Sequence, residues 1–335
     1  MSKYRDRGYW ISQHFYWQSM MHYLWYALRF RSFTFFSACA PAIDLGGMLD
    51  ENKSDIYDLL PDRFVPNTIR VSGKDNISME QIEIVGLTFP LIVKPNIGFR
   101  GYKVVKVFNL QELNSFISAQ SERREWLIQE FLDYEKEYSL LFYRIPGSGR
   151  RGITSLVEKI YPFIVGDGER TLEELIDVYE NPFIDRDLVI RRFQEKLKKV
   201  LAANEKLVLD EIGNYARGSK FLDIRNQIDL EMEEVMRDYF KEVNGLDFFR
   251  MDFKSDNLDA FKQGEFKILE INGAKSEPIH IYDPKNKFLS NVKTIVQHWV
   301  TIKNVVKERK KQGNYRFPTT RYGLKSLIAI KKLVK

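Results

Sequence analysis

Four polar residues towards the carboxyl end of the chain have types and spacing that suit a metal site, with three oxygen ligands and one arginine beside them. Arg250 and Asp252 alternate along one apolar stretch, and Glu270 and Asn272 alternate along the next. If both stretches are strands, the side chains of each pair point to one face of a sheet. Two carboxylates and an amide oxygen suit Mg²⁺, and Arg250 could stabilise a developing oxyanion beside them. The same spacing also suits a surface ladder of ion pairs, so the motif alone leaves both interpretations open.

A second group of residues could bind phosphate. Lys94 ends the apolar run Phe89–Lys94 and leads into a loop that contains Gly98, Arg100 and Gly101. Glycines let backbone amides approach phosphate oxygens, and a lysine adds a positive charge. The loop follows neither the P-loop pattern nor the dinucleotide-binding pattern of glycines, so a structural turn is the alternative.

Between these two groups lies a segment that could bind a nucleoside. Glu130 ends a strand-like stretch and is followed by Phe131 and Leu132, with Glu137 seven residues after Glu130. A strand end of this kind can offer Glu130 and backbone groups to an adenine edge, and Glu137 could bind ribose hydroxyls. Because glutamates are common, this segment is informative only in combination with the others.

The elements that must position these groups mix strands and helices without a regular alternation. Short apolar runs between turn residues indicate strands, and apolar residues at helical spacing indicate helices. Gln263 and Gly264 are typical of a tight turn between two paired strands. The mixture predicts an α+β fold. The predicted strands are 89–94, 102–108, 126–131, 137–143, 248–253 and 266–271 with a strand pair at 153–165, and the predicted helices are 17–30, 110–120, 172–179, 186–203 and 230–243.

The order and spacing of these motifs resemble the ATP-grasp superfamily, which includes D-alanine–D-alanine ligase, glutathione synthetase and cyanophycin synthetase. The family pattern is a lysine, a glycine loop, two glutamates seven residues apart, and then R-x-D and E-x-N on paired strands. An earlier lysine precedes the loop lysine by some 45 residues, and Lys53 fits that position. The resemblance implies two α+β subdomains that clamp ATP. It places Lys53, Lys94, Gly98, Arg100 and Gly101 at the phosphates, Glu130, Phe131, Leu132 and Glu137 at adenosine, and Asp252, Glu270 and Asn272 at Mg²⁺, with Mn²⁺ as an alternative.

A second resemblance concerns the segment Gly166–Thr171 and the helix after it. It is similar to the GDGxxTxxELI signature of cyanophycin synthetase and related amino-acid ligases, and Asn214–Ser219 lies where that group has a glycine-rich segment. The resemblance implies amino-acid-like substrates and a catalytic group of Arg217, Arg250 and His280. The chain has one glycine where cyanophycin-type enzymes have two, and only about fifty residues precede Lys53, so neither family's substrate is carried over.

These resemblances predict an enzyme that activates a carboxylate as an acyl phosphate and joins it to an amine, releasing ADP and phosphate. Two alternatives remain open. One is an enzyme that uses the same nucleotide site for a different reaction, and the other is a protein without catalytic activity. An ATP-grasp kinase would release ADP and a stable phosphoester. A non-catalytic protein that binds nucleotide or membrane would not consume ATP with any substrate.

Composition and charge bound the remaining possibilities. The chain has 335 residues, 44% hydrophobic and 29% charged, which is typical of a globular protein. A single cysteine excludes an internal disulfide framework, and no secretory signal or membrane-spanning run is evident, so we expect a cytoplasmic protein. We predict an aromatic helical region at 1–79, a small subdomain at 80–145, a large subdomain at 146–285 and a basic tail at 286–335. An oligomer is left open.

The charge of the chain is concentrated in its tail. Residues 286–335 carry thirteen Lys or Arg and one acid, a balance of +12 within a total of +6. Without a recognisable nucleic-acid module, this tail does not indicate nucleic-acid binding. Its apolar residues from Leu324 onwards recur at helical spacing, which predicts a basic amphipathic helix. Such a helix could lie on the inner face of an anionic membrane, aided by the aromatic amino-terminal helix, or pack on the core.

Overall fold

The computed structural model describes residues 7–49, 52–98, 103–121, 124–313 and 315–334, with side chains from His14 to Ala329. Within these ranges the chain forms ten α-helices and eleven strands. The helices are α1 (Arg7–Phe30), α2 (Lys53–Tyr57), α3 (Met79–Ile84), α4 (Leu110–Ser118), α5 (Leu172–Val178), α6 (Arg186–Arg192), α7 (Leu230–Tyr239), α8 (Leu258–Lys262), α9 (Phe288–Lys311) and α10 (Thr320–Val334). The strands are β1 (Thr68–Ser72), β2 (Leu91–Pro95), β3 (Val105–Val107), β4 (Glu125–Glu130), β5 (Lys136–Arg144), β6 (Arg151–Ile160), β7 (Phe163–Val165), β8 (Lys206–Val208), β9 (Lys220–Asp223), β10 (Phe248–Ser255) and β11 (Lys267–Asn272).

The smaller of the two main sheets is antiparallel, with the strand order β1-β4-β2-β3. One face is covered by α3 and α4, whose Ile82, Leu113 and Ile117 pack with Trp126 and Ile128 in one apolar cluster. Side-chain caps begin both helices, since Ser78 and Asn109 each accept a hydrogen bond from the backbone three residues on. The opposite face of this sheet lies towards the larger sheet.

The larger sheet has five antiparallel strands in the order β11-β10-β5-β6-β9. Strand residues alternate between its two faces, so apolar side chains such as Leu140, Met251 and Phe253 pack into the main core with Met232 and Met236 of α7. On the other face several residues are polar and buried, among them Ser139, Asp252 and Lys254. This face holds the side chains discussed below as a candidate site.

The amino-terminal helix packs against the long helix α9 near the carboxyl end. Tyr26, Phe35 and Trp299 belong to one buried apolar cluster that joins them. The predicted helix in the aromatic region is therefore confirmed. One face of α1 stays in solvent, where Trp17, Met21, Trp25 and Leu28 are 63–73% exposed.

Helix α10 confirms the predicted helix in the tail, and its Leu324 and Ile328 are more than half exposed. In the part of the chain that the structure describes, no helix has both the length and the apolar character needed to cross a membrane.

Three local predictions were wrong. The helix predicted at 186–203 ends at Arg192, because the carbonyls of Leu197 and Lys199 instead accept hydrogen bonds from the first turn of α5. The strands at 248–253 and 266–271 do pair, but α8, capped by Asn257, connects them in place of a tight turn. The strands around Pro162 pair with other strands, β6 with β5 and β9, and β7 with β8.

The two sheets also do not follow the boundaries predicted at residues 80 and 145. Strand β1 lies before residue 80 but pairs within the smaller sheet. Strand β5 lies before residue 145 but pairs within the larger sheet. The subdomain division remains a prediction. Residues 131–135 connect β4 of the smaller sheet with β5 of the larger sheet.

Candidate active site

A cleft of about 170 Å³ lies between the two sheets. Lining residues come from the ends of β2 and β4, from the polar face of the larger sheet and from residues 211–214. They include most of the residues that the sequence motifs single out. The cleft is lined by Lys53, Lys94, Gly98, Gln129, Glu130, Phe131, Leu132, Glu137, Lys159, Gly213, Asn214, Asp252, Lys254 and Glu270, among others.

Lys94 reaches the cleft from the end of β2, a buried strand. Its ammonium donates hydrogen bonds to the Tyr57 hydroxyl at 2.9 Å and to Gln129 Oε1 at 2.8 Å. Burial lowers the pKa of Lys94 to about 8, against the opposing effect of the Glu270 and Glu137 charges. A negative charge close to this ammonium would stabilise its charged form.

Lys53 enters the same cleft from the first residue of α2. Its ammonium donates to the Gly98 carbonyl at 3.0 Å and lies 3.6 Å from Glu270 Oε1. The two predicted lysines therefore flank the loop that begins at Gly98. Arg100 and Gly101 of that loop lie outside the described residues.

Asp252 and Glu270 face each other across the pairing of β10 with β11, and Arg250 faces Asn272 one pair further along. The predicted common face is therefore confirmed. Ser139 Oγ donates to Asp252 at 2.6 Å, and Arg250 Nε donates to it at 3.2 Å. Burial alone would raise the pKa of Asp252, but the charges of Lys159 and Arg250 hold it well below its usual value. Burial would likewise raise the pKa of Glu270, but the charges of Lys53, Lys275 and Arg250 together lower it.

A buried lysine that the motifs do not reveal joins two of these carboxylates. Lys159 Nζ donates to Glu137 Oε1 at 2.8 Å and to Asp252 Oδ2 at 2.9 Å. The Tyr161 hydroxyl donates to the other oxygen of Glu137 at 2.8 Å. Gly213 packs so closely on Glu137 that a Cβ there would lie 2.3 Å from Oε1, which explains the need for glycine.

The segment expected at adenosine lines the opposite end of the cleft. Glu130 Oε1 accepts a hydrogen bond from the Asn67 backbone amide at 2.9 Å, so this carboxylate already ties β4 to the start of β1. The Lys106 ammonium lies 3.5 Å from the centre of the Phe131 ring. Lys254 Nζ donates to the Leu132 carbonyl at 2.9 Å. The Glu130 carboxylate, the Phe131 ring and the Leu132 carbonyl each therefore already have a partner within the protein.

The catalytic group predicted from the resemblance is only partly brought to the cleft. Arg250 lies beside Asp252 as described above. Arg217 pairs with Asp210 through Nε at 2.7 Å and does not line the cleft. His280 is fully buried, with Nδ1 2.8 Å from Ser155 Oγ and Nε2 3.4 Å from Thr294 Oγ1. His280 is therefore buried beside Ser155, which lies on the same face of the larger sheet as Lys159, but it does not line the cleft.

The burial of His280 has a consequence for stability. Burial and the charge of Arg225 lower its pKa to about 4, and burial lowers the pKa of His298 to about 3. An unfolded histidine titrates near about 6.5, so the unfolded chain binds more protons below that pH, and stability is lost as pH falls from about 6.5 towards 4. We expect the free energy of unfolding in urea to fall between pH 7 and pH 5, and His280→Gln to flatten that slope by up to about 1.4 kcal/mol per pH unit. Equal slopes for both proteins would contradict this.

The oxygen atoms that β10 and β11 bring together would fit a magnesium ion by their chemistry. Asp252 and Glu270 offer carboxylates, and the Asn272 amide is buried with its Nδ2 lacking a hydrogen-bond partner among the described residues. A rotation of the amide could turn its oxygen towards the two carboxylates. It would break no hydrogen bond of Nδ2, because Nδ2 makes none with the described residues. No group of three or more His, Cys, Asp or Glu that could hold a metal ion is found in the described ranges.

Comparison with known families bears on the first part of this site. Residues 52–142 match the RimK-like ATP-grasp domain, a segment that runs from α2 into β5 and contains Lys53, Lys94 and Glu137. The chain has an ATP-grasp fold. The paired strands that carry Asp252 and Glu270 lie beyond the matched segment.

Several solved structures are similar to the chain at low sequence identity. They include a bifunctional glutathione synthetase from Pasteurella multocida, at 14% identity and a TM-score of 0.39, of which the chain covers 35% while 74% of the chain is matched. The VanG D-Ala:D-Ser ligase from Enterococcus faecalis has 17% identity and a TM-score of 0.42, with 76% of the chain and 62% of the ligase covered. D-alanine–D-alanine ligase from Bacillus anthracis complexed with ATP has 14% identity and a TM-score of 0.45, with 78% and 68% covered. A comparison with curated protein sequences finds no match.

Proposed function

We propose that this ATP-grasp protein is an ATP- and magnesium-dependent ligase that joins a carboxylate to an amine. The observation that carries the proposal is the cleft in which Lys53 and Lys94 stand opposite Asp252 and Glu270. Two cations facing two carboxylates can hold a nucleotide phosphate chain together with the divalent ion that accompanies it.

The residues of the cleft divide into two roles. Lys53, Lys94 and the loop from Gly98 would hold the phosphates, while Phe131, Leu132 and Glu137 would hold adenosine. Asp252, Glu270 and Asn272 would bind Mg²⁺, or Mn²⁺ in its place, and the ion would neutralise phosphate oxygens. Positioning and charge dominate such a transfer, because a weak nucleophile is brought in line with the γ-phosphate inside a site that already stabilises negative charge.

The proposed reaction has two steps. The substrate carboxylate attacks the γ-phosphate, which gives an acyl phosphate and releases ADP. The amine then attacks the acyl carbon and phosphate leaves, with Arg250 beside Asp252 placed to stabilise the charge on the oxygen. Both substrates are small molecules of the amino-acid-like class.

The experiment that tests this proposal follows ATP and its products. Purified protein would be incubated with Mg·ATP and mixtures of amino acids and small acids, with phosphate release measured and products identified by mass spectrometry. A ligase releases ADP and free phosphate and forms a new C–N bond. ADP together with a stable phosphoester would indicate a kinase and contradict the ligase. No ATP consumption with any mixture would contradict both.

We also propose peripheral contact with the inner face of a membrane through α1 and α10. The exposed Trp17, Trp25 and Leu28 of α1 and the exposed Leu324 and Lys325 of α10 support it. Exposed aromatics and basic residues favour an anionic surface, with about 1 kcal/mol for each Lys or Arg near it. We expect the protein to sediment with anionic liposomes at low salt and to be released at high salt. Protein that stays in the supernatant at low salt would end this proposal.

A further inference from the structure

We propose that one substrate of the ligation has an extended apolar body, and that a second cavity between α1, α9 and α10 binds this body. The inference rests on the proposed ligase function and names the class of its substrate. The shared chemistry is an alkyl or aromatic chain attached to the reacting carboxylate or amine.

The second cavity is large and its walls are mostly apolar. Its volume is about 420 Å³, more than twice that of the nucleotide cleft. Helices from both ends of the chain enclose it, together with the segment that follows α1. Its apolar lining includes Met20, Tyr23, Leu45, Met48, Trp299 and Leu327.

One end of this cavity is the loop that leaves the metal-binding strand. Ala274, Lys275 and Glu277 line the cavity, and they begin two residues after Asn272. The loop is fixed in place by the turn at Leu45–Gly47, since Ala274 N donates to the Gly46 carbonyl at 2.7 Å. A Cβ on Gly273 would lie 2.2 Å from the same carbonyl, so the two turns are in direct contact.

The loop continues directly from β11, whose last residue, Asn272, faces Arg250 on β10. Ala274 of the loop packs in one apolar cluster with Leu141 of β5, the strand residue paired with Arg250. The loop therefore joins the wall of the second cavity to the strand ends that carry Arg250 and Asn272. A substrate head placed at this loop would have its apolar body in the second cavity.

Two polar atoms in the cavity wall have no partner among the residues that the structure describes. They are His298 Nδ1 and Trp299 Nε1, on side chains that are 7% and 6% exposed. Buried polar groups are usually hydrogen-bonded, and an exception calls for a ligand or water that the protein itself does not supply. These atoms fit an apolar body that carries an occasional polar group, and they are independent of the loop geometry.

Binding of two homologous series tests the inference. Straight-chain amines and straight-chain carboxylates from three to ten carbons would be titrated calorimetrically into the protein with Mg²⁺ and a non-hydrolysable ATP analogue. In one series we expect affinity to rise about fourfold with each added CH₂ until the cavity is full, as burial of a methylene predicts. The series that shows the rise identifies which substrate, amine or acid, has the apolar body.

Two neighbouring methionines provide a matched control. Met20 lines the cavity, whereas Met21 is 73% exposed and does not line it. Met20→Trp should fill the cavity and weaken binding of the ten-carbon probe at least tenfold, and Met21→Trp should leave it unchanged. Leu327→Trp repeats the test from the opposite wall, should Met20→Trp fold poorly.

The outcomes separate the inference from the function on which it rests. Affinity that does not change with chain length in either series, or an equal loss in Met20→Trp and Met21→Trp, would overturn the apolar site. Failure of the ATP analogue to bind while chain length still governs affinity would overturn the ligase proposal and support the apolar site. Nucleotide binding should be the same in all variants, because none of these three positions lines the cleft.

Discussion

Glu270→Gln should lower turnover by at least about a hundredfold while the protein stays folded. Glu270 faces Asp252 across the paired strands, and its carboxylate lies 3.6 Å from the Lys53 ammonium. The substitution keeps the shape of the side chain but removes the charge that would bind the metal at the phosphates. Loss of several kcal/mol of charge stabilisation corresponds to a rate decrease of this order. Phosphate release at saturating ATP measures it.

Glu265→Gln is the matched control for this change. Glu265 is exposed, precedes Glu270 by five residues and does not line the cleft. It should keep normal turnover and the same unfolding midpoint. Near-normal turnover in Glu270→Gln would show that this carboxylate binds no metal needed for the reaction. Asp252→Asn is a less direct test, since it also removes the partner of buried Lys159.

The common face of the polar residues on β10 and on β11 could be predicted from sequence because strand periodicity is fixed. Residues two apart lie on one face whatever the rest of the fold does, so Arg250 with Asp252 and Glu270 with Asn272 were determined locally. Lys53 and Lys94 are different. Their convergence on one cleft was implied only by a family resemblance, because two lysines separated by 41 positions carry no local signal of where their ammonium groups meet.

The sequence did not reveal the register between neighbouring strands. Lys159 lies opposite Glu137 only because β6 pairs with β5 in one alignment, interrupted by a bulge after Leu141. No local signal distinguishes Lys159 from neighbouring charged residues. Sequence also did not reveal the surroundings of His280. Its position in the segment after β11 suggested a substrate role. Tertiary packing instead places its ring against Ser155.

The helix predicted at 186–203 was wrong for a related reason. Its periodicity continues beyond Arg192, but the backbone carbonyls of residues 197 and 199 are needed by the first turn of α5. A non-local hydrogen bond outweighs the local preference. The second cavity is a further case, because its walls come from α1, the turn at Leu45–Gly47 and α10, which are separated by most of the chain.

Lys159→Met should lower the free energy of unfolding by about 3–5 kcal/mol, because it leaves two buried carboxylates without their shared cation. Lys159, Glu137 and Asp252 are each no more than 6% exposed. Lys136→Met is the matched control on the same two strands. Its ammonium lies 3.6 Å from Glu158 at a more exposed position, so its loss should cost less than about 1 kcal/mol. Urea unfolding of both variants measures the difference, and equal midpoints would show that Lys159 does not stabilise the carboxylate pair.

The same variant distinguishes a structural lysine from one that substitutes for a metal ion. If Asp252 binds Mg²⁺ beside the nucleotide, as proposed, the bound ion supplies positive charge that Lys159→Met has removed. Addition of Mg·ADP should then stabilise Lys159→Met by more than it stabilises the wild-type protein or Lys136→Met, because a ligand that binds only the folded state raises its stability. The comparison needs no substrate and no turnover. Stabilisation of all three proteins to the same extent would mean that the ion does not act on Asp252, and the metal site would then have to be sought on Glu270 and Asn272 alone.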